Sequence, residues 1–306
     1  MTALPPGSTI GIIGSGQLGR MLSVAAARLG YRCHVFAPDT GPANDVCAGY
    51  TRGAYDDEEA LAVFATHVDI VTYEFENIPA DPIAHLAHYV PVRPSPHALR
   101  VAQDRVAEKK FAERLGGTAA PWRPVPHRAA LDAALEAIGT PALLKTTRFG
   151  YDGKGQARID DPADADAAWK AIGMHAAVLE AMVSFTHEFS ILLARGANGD
   201  MAVYPAPKNE HHQGILAFSR LPAPLQVSAQ VEEAATLARR VAEDLDYVGV
   251  LTLEFFAGAN GPIFNEMAPR VHNSGHWTIE GAETSQFENH IRAICGLPLG
   301  PVALTG

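Results

Sequence analysis

Between residues 9 and 94, short apolar runs alternate with amphipathic stretches of helical length, and few folds accept that alternation. Residues 9–13, 32–37, 68–73 and 90–93 read as strands, with helices between them at 17–29, 57–65 and 79–88. Strands separated by helices pair in parallel, because each helix carries the chain back across the sheet; residues 1–100 are therefore expected to form a Rossmann-like lobe. A chain of 306 residues exceeds what one core ordinarily sustains, so at least one further lobe must follow.

A polar helical stretch at 96–115 leads to Pro121, Pro124 and Pro126, which read as a linker. Beyond it a smaller α+β unit is expected over about 118–184, with helices at 128–138 and 162–172, strands at 142–146 and 177–181, and a glycine-rich loop at 150–155. A region of antiparallel character follows, with strands at 187–194, 201–205, 215–218, 250–256 and 263–267 framed by helices at 228–246 and 285–296. Hydrophobic residues at 47% and charged residues at 19% fit an ordinary globular protein. The net charge of -10 gives no bulk attraction to nucleic acid or anionic membrane, so any phosphate site must be local. Cys33, Cys47 and Cys295 lack paired spacing, which argues against a disulfide framework or zinc knuckle and for reduced thiols in the cytoplasm. The sequence shows no signal-length apolar run after a basic start and no stretch of about 18 apolar residues, so neither export nor membrane insertion is expected.

Four segments carry chemistry. Gly14, Ser15, Gly16, Gln17, Leu18 and Gly19 follow the first strand and open a helix, with Asp39 at the end of the second strand. This spacing suits either a dinucleotide phosphate at a helix N-terminus or a tight turn that needs glycine for packing, and the pattern alone leaves both open. In the second segment, Lys145 ends a strand and a loop with Gly150, Gly153, Gly155 and Lys154 follows; mobile amides and ammonium groups there could close over a polyphosphate. Third, Glu254 and Glu266 each interrupt an apolar strand, and residues 258–262 would turn one strand back beside the other. Two neighbouring buried carboxylates repel unless a cation lies between them, and magnesium, which takes carboxylate and phosphate oxygens, would fit. Last, residues 270–278 hold Arg270, His272, Asn273 and Ser274, a density of polar groups suited to an anionic or heteroaromatic substrate.

Together these segments resemble the ATP-grasp superfamily, and within it the N5-carboxyaminoimidazole ribonucleotide synthase family. The resemblance runs through the Gly14 turn, Tyr73-Glu74-Phe75-Glu76-Asn77, Gln103-Asp104-Arg105 to Lys109, the loop Tyr151-Asp152-Gly153-Lys154-Gly155-Gln156, and Asn265-Glu266-Met267-Ala268-Pro269-Arg270 to His276-Trp277. It implies an α/β and α+β ATP-grasp fold with a Rossmann-like pre-ATP-grasp domain at 1–100 and an ATP-grasp domain at 101–306, including a lid at 118–184. The implied reaction is carboxylation of 5-aminoimidazole ribonucleotide at the expense of ATP and bicarbonate, in purine biosynthesis, by a cytoplasmic homodimeric ligase.

The resemblance also assigns residues. Arg105, Lys145 and the loop Gly150, Tyr151, Asp152, Gly153, Lys154, Gly155 and Gln156 would hold the phosphates of ATP. Glu180, Ala181, Met182 and Val183 would line the adenine, Glu188 would take the ribose, and His211 and Asn265 would lie by the nucleotide. Glu254 and Glu266 would ligate Mg2+. Gly16, Gln17, Leu18, Glu76, Arg270, His272, Asn273 and Ser274 would bind the imidazole nucleotide, with Tyr151, Asp152, Lys154 and Arg270 catalytic. In such proteins a further small domain follows the segment matching 297–300 and supplies basic residues to the substrate phosphate; this sequence ends at Gly306, so an incomplete site and reduced stability are expected. Competing readings are an ATP-grasp ligase acting on formate and glycinamide ribonucleotide, an ATP-binding relative without turnover, and an NAD-dependent dehydrogenase. The last rests on the Gly14 turn alone and leaves Glu254, Glu266 and the second glycine loop unexplained.

Overall fold

The computed structural model describes residues 2–148, 150, 154–212 and 214–305. Tyr151, Asp152 and Gly153, expected to bind nucleotide and substrate, lie outside the described residues. The first lobe is a parallel sheet of β1 (Thr9–Ile13), β2 (Arg32–Ala37), β3 (Gly49–Arg52) and β4 (Ile70–Tyr73) in the order β3-β2-β1-β4. Residues 90–93 add no full strand. Val92 alone bridges Val71, because Pro91 and Pro94 lack the amides a continuing ladder needs. The expected helix over 96–115 is two helices, Pro96–Ala102 and Arg105–Arg114. The break is made by Asp104, whose carboxylate caps the second helix by accepting the amides of Val106 and Ala107.

The lid sheet holds β5 (Trp122–Val125), β6 (Ala142–Thr146), β7 (Gln156–Ile159) and β8 (Ala177–Ala181), ordered β5-β8-β6-β7 and antiparallel throughout. The prolines expected to mark a linker fall within and around β5. As the edge strand, β5 tolerates Pro124 because one side of it needs no amide donors. Helices Arg128–Ile138 and Ala165–Ala171 cover one face, burying Leu131, Leu135 and Trp169 against Leu144 and Leu179.

The largest sheet contains β9 (Glu188–Arg195), β10 (Met201–Val203), β11 (Lys208–His212), β12 (Ile215–Arg220), β13 (Gly249–Gly258) and β14 (Gly261–Ala268), in the order β12-β11-β9-β13-β14 with β10 on β9. Alternate residues Phe189, Ile191 and Leu193 of β9 and Leu251, Leu253 and Phe255 of β13 pack with Leu237 and Val241 of the Val231–Asp244 helix. Each such side chain contributes about 1.5–3 kcal/mol of burial. The other face joins the first lobe: Phe287, Ile291 and Ile294 of the Gln286–Ile294 helix share a core with Ile10, Ile12 and Leu22. Within that seam the fully buried His290 ring accepts the Val250 amide on Nδ1 (3.1 Å), which leaves its Nε2 proton to donate to Thr72 Oγ1 (2.8 Å). The parallel sheet and the antiparallel sheet are thereby tied. No helix among the described residues is long and apolar enough to cross a membrane.

Candidate active site

The three sheets leave a cleft whose walls include Glu76, Arg105, Gly150, His211, Glu254, Glu266, Arg270, His272 and Asn273. These residues come from elements far apart in sequence, and the fold brings them together. Glu254 of β13 stands directly opposite Glu266 of β14. The pairing shifts at this point, since Phe255 is opposite Phe264, so Asn265 is an extra residue in β14. Such a bulge re-aims side chains beside a site.

Burial, and then the charge of Glu266, raise the pKa of Glu254. Burial also acts to raise that of Glu266, but Arg105, whose Nη1 donates to Oε2 at 2.9 Å, and then Lys145 bring it well below the usual carboxylate range. The pair therefore holds one carboxylate charged and resists charging the second. Asn265 Oδ1 is buried with no hydrogen-bond partner, and among the described residues no three His, Cys, Asp or Glu are placed to hold a metal ion by themselves. The two facing carboxylates form an all-oxygen, incomplete donor set. That set suits a hard divalent cation whose remaining ligands are phosphate oxygens and water.

A cationic cluster adjoins the carboxylates. Lys145 Nζ is 3.0 Å from Glu180 Oε2, and Lys109 Nζ is 3.1 Å from Glu180 Oε1, with all three side chains buried. Glu180 thus gives its carboxylate to two lysines and not to a ligand pocket. Its residue falls on the inward phase of β8, where an unpaired carboxylate would be costly. Lys109 and Glu108 lie in a segment that carries the resemblance, but the sequence reading assigned neither a role. Their signal is their phase: with Ala112 they form the buried face of the Arg105–Arg114 helix, so two charges sit at core positions. Glu108 accepts the Met267 amide at 2.5 Å, fixing the backbone next to Glu266. Burial, opposed first by Arg105, pushes its pKa up to about 8.

On the opposite wall, Arg270 grips Glu76 through two hydrogen bonds, Nε to Oε2 and Nη2 to Oε1 (2.9 Å). Gln103 anchors the Glu76 segment by donating to the Glu76 carbonyl at 2.6 Å. His272 Nδ1 accepts the Ser274 amide at 3.3 Å, so its proton is on Nε2, 3.4 Å from Glu254 Oε1. Burial, and then Arg270, bring its pKa down to about 3, so the ring is neutral. Ser274, expected among the substrate contacts, is fully buried behind His272, its hydroxyl 2.9 Å from Nδ1; the turn at 273–275 directs it inward.

The remaining expected residues sit around the cleft. His211 Nδ1 hydrogen-bonds Glu188 across β11 and β9, and that bond raises the imidazole pKa. Gln156 lies opposite Lys145 in the β6–β7 ladder, and Lys154 and Gly155 form the turn into β7. The amides of Ala181 and Met182 bond the carbonyls of Pro121 and Pro141, while Val183 has no backbone partner among the described residues. At the Gly14 turn a carboxylate of the chain itself takes two of the loop's amides. The Glu74 carboxylate accepts the Gly16 amide and the Gly19 amide (2.6 Å), occupying the place of an anion at the helix N-terminus. A Cβ at Gly14 or Gly16 would lie 2.5 or 2.8 Å from Glu74, which explains both glycines. Gln17 and Leu18 retain first-turn amides by position. Asp39 is on the surface, 3.4 Å from Arg52.

Residues 7–103 match the ribonucleotide synthetase preATP-grasp domain, and residues 110–287 the ATP-grasp domain. An N5-carboxyaminoimidazole ribonucleotide synthase of Brucella melitensis is 49% identical over 303 residues, spanning 98% of this chain and 83% of the relative. The crystal structure of N5-carboxyaminoimidazole ribonucleotide synthetase from Thermus thermophilus is similar with a TM-score of 0.91 at 48% identity, covering 97% of this chain and 81% of that one. An Aspergillus clavatus N5-carboxyaminoimidazole synthase in complex with ADP and 5-aminoimidazole ribonucleotide has a TM-score of 0.90 at 29% identity, covering 97% and 79%.

Proposed function

The chain belongs to the N5-carboxyaminoimidazole ribonucleotide synthase family of ATP-grasp enzymes, and we propose that its cleft carries out that family's reaction with the residues described above. It is an ATP-dependent ligase that carboxylates 5-aminoimidazole ribonucleotide in purine biosynthesis. In the proposed sequence bicarbonate takes the γ-phosphoryl group of ATP, giving carboxyphosphate and ADP. Phosphate then leaves, and the carboxyl carbon is captured by the exocyclic amine, which gives up a proton. A homodimer in the cytoplasm is part of the same proposal, carried by the family resemblance.

The observation that carries this reading is the facing of Glu254 and Glu266 in a cleft that also holds Arg105 on one side and Arg270, His272 and Asn273 on the other. Glu254 and Glu266, with Asn265 beside them in sequence, would hold Mg2+, which would supply positive charge to offset that of the phosphates. Arg105 and Lys145 would draw in the phosphates, and Gly150, Lys154, Gly155 and Gln156 would cover them together with Tyr151, Asp152 and Gly153. The adenine would lie along Glu180, Ala181, Met182 and Val183, meeting backbone at Val183, with Glu188 toward the ribose and His211 orienting Glu188. Arg270 would stabilise the anionic carboxyl group, its planar donors held square by Glu76. His272, neutral with its proton on Nε2, would donate a hydrogen bond without adding charge. Gln17 and Leu18 would offer amides to the phosphate of the imidazole nucleotide, Gly16 setting the turn, and Asp152 and Tyr151 would contact its amine.

The test is ADP release from MgATP with and without 5-aminoimidazole ribonucleotide and bicarbonate, alongside Glu266→Gln. Release that requires the imidazole nucleotide and falls at least 100-fold in the variant, about 3 kcal/mol of lost charge stabilisation, supports the assignment. Release that ignores the imidazole nucleotide, or survives in the variant, sinks it.

A further inference from the structure

The Arg105–Arg114 helix presents Arg105, Lys109 and Glu113 at four-residue spacing, and therefore on one face. All three meet the lid. The Arg105 amide donates to the Thr147 carbonyl at 3.0 Å, Lys109 Nζ lies 3.1 Å from Glu180 Oε1, and Glu113 Oε1 accepts Trp122 Nε1 at 2.8 Å. Trp122 and Glu180 are opposite one another in the β5–β8 ladder, so two of these contacts grip adjoining positions of the lid sheet.

Lys109 is 1% exposed, and an ammonium that deep is costly unless it is paired. Its partner already has another: Glu180 faces Lys145 through Oε2 at 3.0 Å. One carboxylate between two ammonium groups leaves the triad with one net positive charge in a buried setting. Arg105 adds to the crowding. Burial lowers the Lys145 pKa, Glu180 opposes this, Arg105 and Lys109 lower it further, and Glu266 opposes them. Arg105 has its own counter-charge in Glu266 at 2.9 Å, so the surplus cation belongs to the Lys109–Glu180–Lys145 triad, and a surplus of that sign attracts an anion.

We infer that Lys109 is a positioning residue for nucleotide phosphate: by holding one oxygen of Glu180, it prevents Glu180 and Lys145 from closing into a neutral pair. Without it, both Glu180 oxygens could turn to Lys145, and an arriving phosphate would have to displace a full carboxylate from a desolvated ammonium. With it, Lys145 keeps one contact that fixes its direction and an uncompensated charge that attracts phosphate. The same ion pair ties the lid sheet to the helix that carries Arg105, so the two phosphate-directed cations keep their relative position. The inference rests on the proposed nucleotide role of Lys145.

The experiment is steady-state ADP release by the full chain with Lys109→Met, which keeps length and loses charge, Lys109→Arg, which keeps charge, and the double variant Lys109→Met/Glu180→Gln. Lys109→Met raises the KM for ATP by at least about tenfold, the loss expected for one charge-assisted contact, and leaves the KM for 5-aminoimidazole ribonucleotide within about twofold. Lys109→Arg recovers most of the ATP KM. In the double variant no carboxylate remains to capture Lys145, so the ATP KM falls back toward the parent value. A role confined to folding would lower the unfolding midpoint and shift neither KM selectively, and the double variant would be worse than the single one; either result overturns the inference. If Lys109→Met does not fold, Lys109→Arg and the double variant decide by the same criteria. Lys145→Met separates the two levels: an unchanged ATP KM there refutes the nucleotide role of Lys145 itself.

Discussion

Glu254→Gln removes one carboxylate from the facing pair while keeping shape and an oxygen to accept the His272 Nε2 proton. Glu254 has 12% of its side-chain surface exposed, and its pKa is raised by burial and by Glu266 from 4.5 to about 8. A carboxyl group whose folded pKa lies above its unfolded value binds more protons in the native state, so it favours folding at low pH and loses that contribution as pH rises from 4.5 through 8. At about 1.4 kcal/mol per pH unit over that range, the upper limit is about 5 kcal/mol. The cleft is open and Glu266 is 41% exposed, so solvent screening brings the expected gain to about 1–3 kcal/mol. Glutamine does not ionise. The variant should therefore match the parent near pH 5 and exceed it in apo stability by about 1–3 kcal/mol at pH 8, several degrees in Tm, while losing ADP release. The assay is urea unfolding of the apo protein at pH 5, 6.5 and 8. A variant less stable than the parent at pH 8, or a difference that does not grow with pH, refutes the view that these carboxylates are a like-charge pair held for a cation.

Three other outcomes follow from the geometry. Gly16→Ala puts a Cβ 2.8 Å from Glu74 Oε1 and should cost about 1–3 kcal/mol in urea unfolding; an unchanged midpoint would show that Glu74 does not fix the turn. Buried His272 and His290 both have pKa lowered to about 3, chiefly by burial, so the unfolded state takes up their protons first and stability is lost as pH falls from 6.5 toward 3. Their joint slope should reach about 2.7 kcal/mol per pH unit, and His290→Asn should about halve it. Arg270→Lys cannot reproduce the two bonds to Glu76 and should lower kcat by about 10- to 100-fold while the KM for ATP stays within about twofold; a shift confined to the ATP KM would move Arg270 out of the carboxyl site.

The parts of the fold visible in the sequence are those where local pattern and burial agree. Thr9–Ile13, Ala142–Thr146 and Ala177–Ala181 are short apolar runs bounded by turn residues, and the Arg128–Ile138 helix has clear periodicity. β3 and β11 lack that agreement. Gly49–Arg52 has no buried residue, and Lys208–His212 is a polar strand whose His211 faces the cleft, so function overrides strand-like composition. Pro124 read as a breaker because position at a sheet edge is a tertiary property. Within the site, the facing of Glu254 and Glu266 followed from a turn between two apolar strands, but the bulge at Asn265 did not, since an inserted residue is defined only against a partner strand. The Gly14 turn allowed two readings, and Glu74 accounts for the glycines by taking the Gly16 and Gly19 amides, while the Gln17 and Leu18 amides remain at the first turn. The roles of Lys109 and Glu180 depended on a contact 71 residues apart in sequence that no local pattern announces.

The most direct test of the central claim is transfer of labelled bicarbonate carbon to the imidazole nucleotide by the purified chain with MgATP. Acid-labile label in a carboxylated imidazole product, formed in step with ADP and absent when 5-aminoimidazole ribonucleotide is replaced by glycinamide ribonucleotide, is the predicted result. ADP formed without fixed label, or turnover with formate and glycinamide ribonucleotide instead, would contradict the account.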